Sequence, residues 1–416
     1  MTKKTAAEKP KKKKLRWWAK LLIALVCIIV VFLGVSYGTI RYFVGDSLSF
    51  KGTLAMAGYG GFALPKWFRN YVLDVDRSYP GLPVLPSNAE TYEADRAAML
   101  EKYETYMYGK VPTDGFDIAF TVLSETNVFD DSAIKRDVQI TVSNEHGSHS
   151  VTMVLYLPVK TETPGVFIGL NFTGNDNLEK EWPIESILAS GYAVASMDYQ
   201  DWEPDNEETF GTGVLKLFPD LKTTAFSAWA FGISRGIDYL VSTGEIDPAR
   251  IASVGHSRLA RTSLWAGAND LRISFATASC GGGLQRSDIS GKITTDGTSA
   301  HWSMPAIYDY IGRDNELPTD IHMLYALIAP RHLFISIGEN DLASDPFGTY
   351  DMLQFAKHVW ADVFGIEVIP DGNYFDLASG TVITSEGVCV NLHSGGHVFS
   401  QEDWNAYIDY MNQYLK

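Results

Sequence analysis

The sequence predicts an α/β domain with a mainly parallel central sheet, preceded by an N-terminal transmembrane helix. From Pro164 onward, short buried strand patterns alternate with helical patterns. This alternation is typical of a parallel sheet covered by helices on both faces, a three-layer sandwich. Closer to the start, residues 21–40 form a run of 20 residues without a charge. At about 1.5 Å of rise per residue, such a helix crosses a hydrocarbon core of about 30 Å.

The residues that flank this apolar run predict its orientation. Residues 1–20 form a basic tail with nine Lys or Arg against one Glu, and Lys and Arg favour the cytoplasmic side. A cleaved signal peptide is the alternative, but its apolar region is typically about 7–15 residues long and ends at an A-x-A-like site, which this run lacks. We therefore expect an uncleaved, single-pass anchor in the lipid bilayer of the cell membrane, a cytoplasmic N-terminus, and an extracellular domain over residues 51–416.

Charge and cysteine content exclude several classes of protein. The chain carries −16, and the basic tail leaves −24 for residues 21–416, whereas nucleic-acid binding needs a basic footprint. Three cysteines are too few for a disulfide framework. Cys280 and Cys389 are predicted to form either one bridge or two buried free thiols. Neither an H-E-x-x-H nor an EF-hand pattern occurs, so we expect no metal and no other cofactor.

The predicted elements follow in chain order. A helix is expected over Asp95–Tyr106, and alternating apolar residues between Phe116 and Val159 predict a β-meander. The predicted strands of the alternating part are 166–171, 192–197, 251–254, 273–278, 333–337 and 366–369. The predicted helices are 184–189, 226–241, 259–267, 349–363 and 401–415. The last begins after Ser400, which stands at capping-box spacing from Asp403.

Ser257 stands where a strand pattern changes into a helix pattern. The sequence there is Gly255-His256-Ser257-Arg258-Leu259. A serine on such a turn is the nucleophile elbow of α/β-hydrolases, in which the next backbone N–H and the helix N-terminus face an oxyanion. Because Leu259 replaces the second glycine of G-x-S-x-G, a serine that merely caps a buried helix remains the alternative.

An acid and a histidine follow Ser257 in the order of a hydrolase triad. Asp341 comes shortly after the predicted strand 333–337, where this fold places the acid that orients its histidine. Asp345 lies nearby and competes for that role. His397 follows two glycines just before the last helix, where a loop can bring an imidazole over the nucleophile. Ser257, Asp341 and His397 are therefore the predicted catalytic residues.

Several longer motifs occur in one order along residues 165–405. They are Asn171-Phe172-x-Gly174-Asn175, Trp182-Pro183-Ile184-Glu185, Ser234-Arg235-Gly236-Ile237-Asp238-Tyr239-Leu240, Leu264-Trp265-Ala266-Gly267-Ala268, His301-Trp302, Leu317-Pro318-x-Asp320-x-His322-Met323-Leu324, Ala326-Leu327-Ile328-Ala329-Pro330-Arg331 and Gly395-Gly396-His397. In these motifs and the elbow, the chain resembles carbohydrate esterase family 15, the glucuronoyl esterases and acetylxylan-esterase-like proteins. The resemblance implies an α/β-hydrolase fold, Ser257 as nucleophile, His397 as base and Arg258 as a contributor to the oxyanion site.

The same resemblance indicates where the pocket departs from the family. The family's acid after the strand that follows the nucleophile helix corresponds to Thr277, so the acid role falls to Asp341. The lysine that contacts the sugar acid corresponds to Arg261, which keeps the charge and can bind a carboxylate through two hydrogen bonds. The family's sugar-contacting glutamate corresponds to Lys292, and the tryptophan expected two residues after the acid corresponds to Ala343.

Two tryptophans complete the predicted substrate-binding set with Arg261 and Lys292. Trp182 and Trp302 are candidate platforms for stacking a sugar ring, although either could be a core residue instead. The chain is thus expected to be a membrane-anchored serine carboxylester hydrolase of carbohydrate esters, similar to glucuronoyl esterases. The alternatives are an acetyl-sugar deacetylase of the acetylxylan type and a catalytically silent relative that binds polysaccharide.

Overall fold

The computed structural model describes residues 51, 65–75, 79–281, 300–311 and 313–415. The predicted basic tail, the predicted anchor at 21–40 and Lys292 lie outside these residues. Within the described part of the chain, no helix combines the length and the apolar character that crossing a bilayer requires. The transmembrane helix therefore stays a prediction from the sequence.

The described residues contain a ten-stranded sheet. Numbered along the chain, its strands are β1 (Asp117–Val128), β2 (Ala133–Asn144), β3 (Gly147–Pro158), β4 (Val166–Asn171), β5 (Ala193–Asp198), β6 (Ile251–Val254), β7 (Phe275–Ser279), β8 (His332–Gly338), β9 (Thr381–Ile383) and β10 (Val388–His393). Their spatial order is β1-β2-β3-β5-β4-β6-β7-β8-β10-β9. The six neighbours from β5 to β10 run parallel, while β1 to β3 form an antiparallel meander. The predicted meander and mainly parallel sheet are confirmed.

Helices cover both faces of this sheet. They are α1 (Lys66–Leu73), α2 (Tyr92–Tyr106), α3 (Ile184–Ala189), α4 (Tyr199–Trp202), α5 (Ala225–Thr243), α6 (Arg258–Asn269), α7 (Ile321–Ala326), α8 (Pro346–Ala356) and α9 (Gln401–Tyr414). Helices α5, α6 and α8 share one apolar core with Val166 and Ile168 of β4. Helices α3 and α9 share the other with Phe167. Because successive strand residues point to opposite faces, a strand buried on both faces has an unbroken apolar sequence.

The structure differs from the predicted elements near the C-terminal edge of the sheet. The predicted strand 366–369 is wrong: this segment has no regular secondary structure, although the Gly387 N–H donates to the Glu367 carbonyl oxygen. Residues Val388–His393, which were not predicted as a strand, pair along their full length with β8. That pairing gives six successive residues a parallel partner strand, whereas Pro370 closes the shorter segment and cannot donate to a ladder.

The last helix begins as its sequence predicts. The Ser400 side chain accepts a hydrogen bond from the Asp403 backbone N–H, and the Asp403 carboxylate accepts one from the Ser400 N–H. This reciprocal capping box satisfies donors at the helix start. It also fixes the end of the loop that carries His397, because that loop enters α9 directly.

Candidate active site

The turn between β6 and α6 holds Ser257 in a strained backbone conformation. Ser257 has φ of 58° and ψ of −127°, and its N–H donates to the Ser279 carbonyl oxygen at 2.9 Å. A non-glycine residue at positive φ costs about 1–3 kcal/mol and persists where the surrounding structure imposes it, as at active sites. Ser257 makes no side-chain capping bond to α6. The structure therefore shows a strand-to-helix elbow at Ser257 and contradicts the alternative of a simple capping serine.

His397 connects the serine to an acid. Its Nε2 lies 2.8 Å from Ser257 Oγ, and its Nδ1 lies 2.7 Å from Asp341 Oδ2. With the proton on Nδ1, that nitrogen donates to Asp341 while Nε2 accepts the serine hydroxyl proton. The Asp341 side chain is only 1% exposed and that of His397 is 14% exposed. The three predicted catalytic side chains thus form one continuous hydrogen-bonded chain.

The carboxyl ends of three parallel strands explain this meeting. Ser257 follows β6, Asp341 follows β8 and His397 follows β10, and β8 and β10 are neighbours in the sheet. Ligand sites of open α/β sheets lie at these strand ends. The competing acid, Asp345, lies further along the chain and accepts a hydrogen bond from the Gly348 N–H as the N-cap of α8. The imidazole contact belongs to Asp341.

The structure shows where Thr277 and the residue that follows its strand lie relative to His397. Thr277 lies in the middle of β7 and is buried, whereas Cys280 is the first residue after that strand. The Cys280 sulfur, an Asp341 carboxylate oxygen and a His397 ring nitrogen lie within 4.8 Å of one another. The residue just after β7 that lies beside His397 is therefore Cys280. The predicted strand, 273–278, ends one residue earlier than the observed one.

Cys280 is a neutral thiol beside the histidine loop. Burial, reinforced by the charge of Asp341, raises the pKa of the Cys280 thiol well above its usual value. Its Sγ lies 3.4 Å from His393 Nε2. Cys280 and Cys389 are both free in the structure, which answers the question that the sequence left open. The Cys280, Asp341 and His397 atoms are close enough to hold a metal ion, but His397 and Asp341 are already bonded to each other, so we assign no metal role.

His256, one residue before the serine, lies against the His397 imidazole. The two ring centroids are 4.7 Å apart, and the His256 ring stacks on Phe399. Burial, together with the nearby His397, lowers the pKa of His256 to about 3. His256 is therefore uncharged at neutral pH. A neutral neighbour does not oppose a positive charge on the His397 imidazole.

Asp205 is a buried carboxylate beside Arg258 that the sequence analysis missed. It accepts hydrogen bonds from His301 Nε2 at 2.8 Å and from Trp302 Nε1 at 2.6 Å, and it forms an ion pair with Arg258. Burial alone would raise the pKa of Asp205, but the His301 and Trp302 hydrogen bonds and the Arg258 charge lower it overall. The buried carboxylate is thus ionised and holds Arg258. A signal exists in the sequence, since Asp205 lies on the loop after β5 at the same sheet edge.

The remaining predicted binding residues separate into two groups. The Arg258 and Arg261 guanidinium carbons lie 4.8 Å and 5.8 Å from the Trp302 ring centroid, so these three residues are brought together beside the elbow. Trp182 is 1% exposed and packs on Trp404, with ring centroids 5.0 Å apart. Its prediction as a sugar platform is wrong, because a stacking ring needs an open face and this ring fills the core between the sheet and α9.

Comparison with known proteins connects this geometry to one group of enzymes. The model of a family described as glucuronyl esterase of fungi matches residues 140–364. A carbohydrate esterase of an unknown prokaryotic organism is 29% identical over 368 residues, which cover 77% of this chain and 84% of that protein. A 4-O-methyl-glucuronoyl methylesterase of Schizophyllum commune is 24% identical over 313 residues, covering 69% of this chain and 70% of the relative.

Solved structures show the same likeness. A glucuronoyl esterase from Solibacter usitatus superposes with a TM-score of 0.71 at 28% identity, over 81% of this chain and 98% of its own. A promiscuous esterase of carbohydrate esterase family 15, from a marine bacterial metagenome, superposes with a TM-score of 0.70 at 26% identity, again over 81% and 98%. Both similarities extend over nearly the whole of the solved chains.

Proposed function

Since the chain belongs to the glucuronoyl esterases of carbohydrate esterase family 15, we propose that it hydrolyses carbohydrate esters with Ser257 as the nucleophile. The observation that carries the proposal is the hydrogen-bonded chain from Ser257 Oγ through His397 to Asp341, at 2.8 Å and 2.7 Å. The strained elbow supports it further, because its backbone conformation directs Ser257 Oγ towards the His397 imidazole. A protein that only bound polysaccharide would need none of these contacts.

The reaction proceeds by two acyl transfers. First, Ser257 Oγ attacks the ester carbonyl carbon while His397 Nε2 takes the hydroxyl proton. Nε2 then returns that proton to the departing alcohol oxygen as the C–O bond breaks, which leaves the acyl group on Oγ. In the second transfer, water gives a proton to Nε2 and attacks the acyl carbon, and Oγ leaves with that proton. Asp341 orients the imidazole and stabilises its charged form throughout.

Positive groups next to the elbow stabilise the tetrahedral anion. Arg258 begins α6, so its guanidinium and the N-terminus of that helix supply a favourable field at the oxyanion. Asp205 holds the Arg258 side chain by an ion pair, and the same carboxylate holds Trp302. The guanidinium is thereby oriented before the substrate arrives, which removes the cost of ordering it during the reaction.

The substrate that these residues fit best is a uronate ester. Arg261 is 7% exposed and lies above the rings of Phe226 and Trp302, which makes it a fixed cation rather than a mobile one. A guanidinium pairs with both oxygens of a carboxylate, and it can donate a hydrogen bond to the carbonyl oxygen of the corresponding ester. Trp302 offers a partly exposed ring for the sugar. Because esterification removes the charge of the uronate, the net charge of −16 does not repel this substrate.

The purified full chain should release methanol from the methyl ester of glucuronic acid or of its 4-O-methyl derivative. An acetylated xylo-oligosaccharide in the same assay provides the comparison, because its ester is not on a uronate group. We expect methyl glucuronate cleavage to exceed acetyl release. Acetyl release without methyl glucuronate cleavage would favour the deacetylase alternative, and inactivity on every ester would favour a binding protein.

The proposed location is the outer face of the cell membrane. Its support is the uncharged run at 21–40 behind a tail of nine basic residues. Residues 1–50 fused to a reporter enzyme that is active only outside the cytoplasm should give a membrane-bound, active reporter. An active cytoplasmic reporter on the same segment would contradict the location, and release of the reporter into the medium would indicate cleavage.

A further inference from the structure

Helix α1, near the start of the described chain, contacts the turn that carries the acid. Arg69 Nη2 donates to Glu339 Oε2 at 2.9 Å, and Arg69 Nη1 donates to Asn340 Oδ1 at 3.0 Å. The Arg69 and Glu339 side chains are each 13% exposed. One planar guanidinium thus holds two successive residues, and its rigid fork fixes their orientation as well as their position. The next residue along the chain is Asp341.

Asn340 passes this contact on to the loop of the catalytic histidine. Its backbone N–H donates to the Gly395 carbonyl oxygen at 3.0 Å, and its Nδ2 donates to the Ser394 carbonyl oxygen at 2.9 Å. Asn340 is 3% exposed, so these bonds lie away from competing water. Gly395 and Ser394 precede His397 by two and three residues. Asn340 therefore touches both segments whose separation determines the contact between Asp341 and His397.

We propose that Arg69 and Asn340 are positioning residues, a clamp that keeps the Asp341 carboxylate in register with the His397 imidazole. The inference rests on the function proposed above and extends it to a helix 188 residues before the nucleophile. Displacing a reacting group by about 1 Å can cost about 10²-fold in rate. A clamp of two hydrogen bonds on the acid turn and two on the histidine loop is suited to preventing such a displacement.

The charge of Arg69 adds a second effect. Glu339 lies two residues from Asp341, and Arg69 pairs with it in a largely buried setting. Without the guanidinium, the Glu339 carboxylate would lose its partner and would move towards solvent or towards other donors, because an unpaired buried charge is costly. Either movement would pull on Asn340 and Asp341 through the backbone.

The competing explanation is that Arg69 only attaches α1 to the domain. Val72 and Leu73 of the same helix are fully buried, so they also attach it. Substituting Leu73 with alanine should lower the melting temperature by removing apolar contact, as core truncations do. If attachment were the whole role of Arg69, Arg69→Met and Leu73→Ala would show the same loss of kcat for a given decrease in melting temperature.

The test compares five single variants of the full chain and one double variant: Arg69→Met, Arg69→Lys, Asn340→Ala, Leu73→Ala, Lys66→Met and Arg69→Met with Asn340→Ala. Lys66 is an exposed cation on the same helix and serves as the charge-matched control. Four quantities are measured for each variant: kcat and KM on methyl glucuronate, the second-order rate of Ser257 phosphorylation by diisopropyl fluorophosphate, and the melting temperature. Titration with the fluorophosphate also counts the folded active sites, so rates refer to folded protein only.

Arg69→Met should lower kcat and the phosphorylation rate per active site by about 10- to 100-fold, with KM changed by less than about twofold. Arg69→Lys keeps the charge but not the fork, so it should recover part of the rate. Leu73→Ala and Lys66→Met should retain the wild-type rate per active site. Arg69→Met in an Asn340→Ala background should add little, because the two residues act through one network.

Two results would overturn the clamp. One is a wild-type rate per active site in Arg69→Met. The other is a loss of rate per active site in Leu73→Ala as large as that in Arg69→Met, when the two variants melt at the same temperature. If Arg69→Met failed to fold, Arg69→Lys and Asn340→Ala would decide: wild-type rates per active site in both would overturn the clamp. Failure of the proposed function is a separate result: the wild-type chain would then hydrolyse no ester and would not be labelled at Ser257.

Discussion

Ser257→Ala should lower kcat for ester hydrolysis by about 10⁴- to 10⁶-fold, because the acyl group then has no oxygen to which it can transfer. The residual rate should reflect only binding and the field of Arg258 and the α6 N-terminus. KM should change little, since Oγ contributes one of many contacts with the substrate. The measurement is steady-state hydrolysis of 4-nitrophenyl acetate and of methyl glucuronate by the full chain.

Ser263 provides a matched control for this substitution. It lies in α6, the helix that begins directly after Ser257, and is buried, and its Oγ donates to Ser253 Oγ at 2.8 Å instead of to a histidine. Ser263→Ala should therefore retain most of the activity and lose only stability. Circular dichroism and the melting temperature of Ser257→Ala should remain those of a folded chain. Turnover by Ser257→Ala within tenfold of the wild type would remove this residue from the mechanism.

Asp341→Asn should lower kcat by about 10⁴-fold, the second largest expected effect. The amide carries no negative charge, so it no longer stabilises the protonated form of His397. It can also donate its own N–H to Nδ1, so the tautomer of His397 is no longer fixed. The 2.7 Å contact between Asp341 Oδ2 and His397 Nδ1 is the basis of this expectation. Measurement of kcat on methyl glucuronate, with active sites counted by fluorophosphate titration, gives the effect per folded molecule.

Asp345→Asn is the matched comparison, because the sequence allowed either aspartate as the acid. Asp345 caps α8 at φ 47°, and asparagine caps helices and tolerates positive φ as well as aspartate does. We expect Asp345→Asn to retain activity within about threefold and to melt close to the wild type. The reverse pattern, with Asp345→Asn inactive and Asp341→Asn active, would reassign the acid.

The sequence determines the local part of this architecture well. The strand before Ser257 is a short buried run that ends at a turn, so both its position and the elbow can be predicted from neighbouring residues. Asp341 and His397 follow later strands of the same sheet, and their chain order is that of known hydrolases. Their meeting at one sheet edge is a consequence of parallel strands, which place all carboxyl ends together.

Contacts between distant residues could not be predicted in the same way. Arg69 and Asn340 are 271 residues apart, and Asp205 and Trp302 are 97 residues apart. No pattern of apolar spacing specifies which charged side chains meet at that distance. Trp182 shows the related difficulty: an aromatic residue beside a strand packs on either face of the sheet, and only the packed structure shows that this one contacts Trp404.

The most direct test of the central claim is stoichiometric labelling of Ser257 while methyl glucuronate hydrolysis is followed. The wild-type chain is titrated with a fluorophosphonate, and the modified residue is located by mass spectrometry of the digested protein. We expect one label per chain on Ser257, with hydrolysis falling in proportion to labelling and reaching zero at one equivalent. Hydrolysis that continues at its full rate after complete labelling of Ser257 would contradict a reaction through this serine.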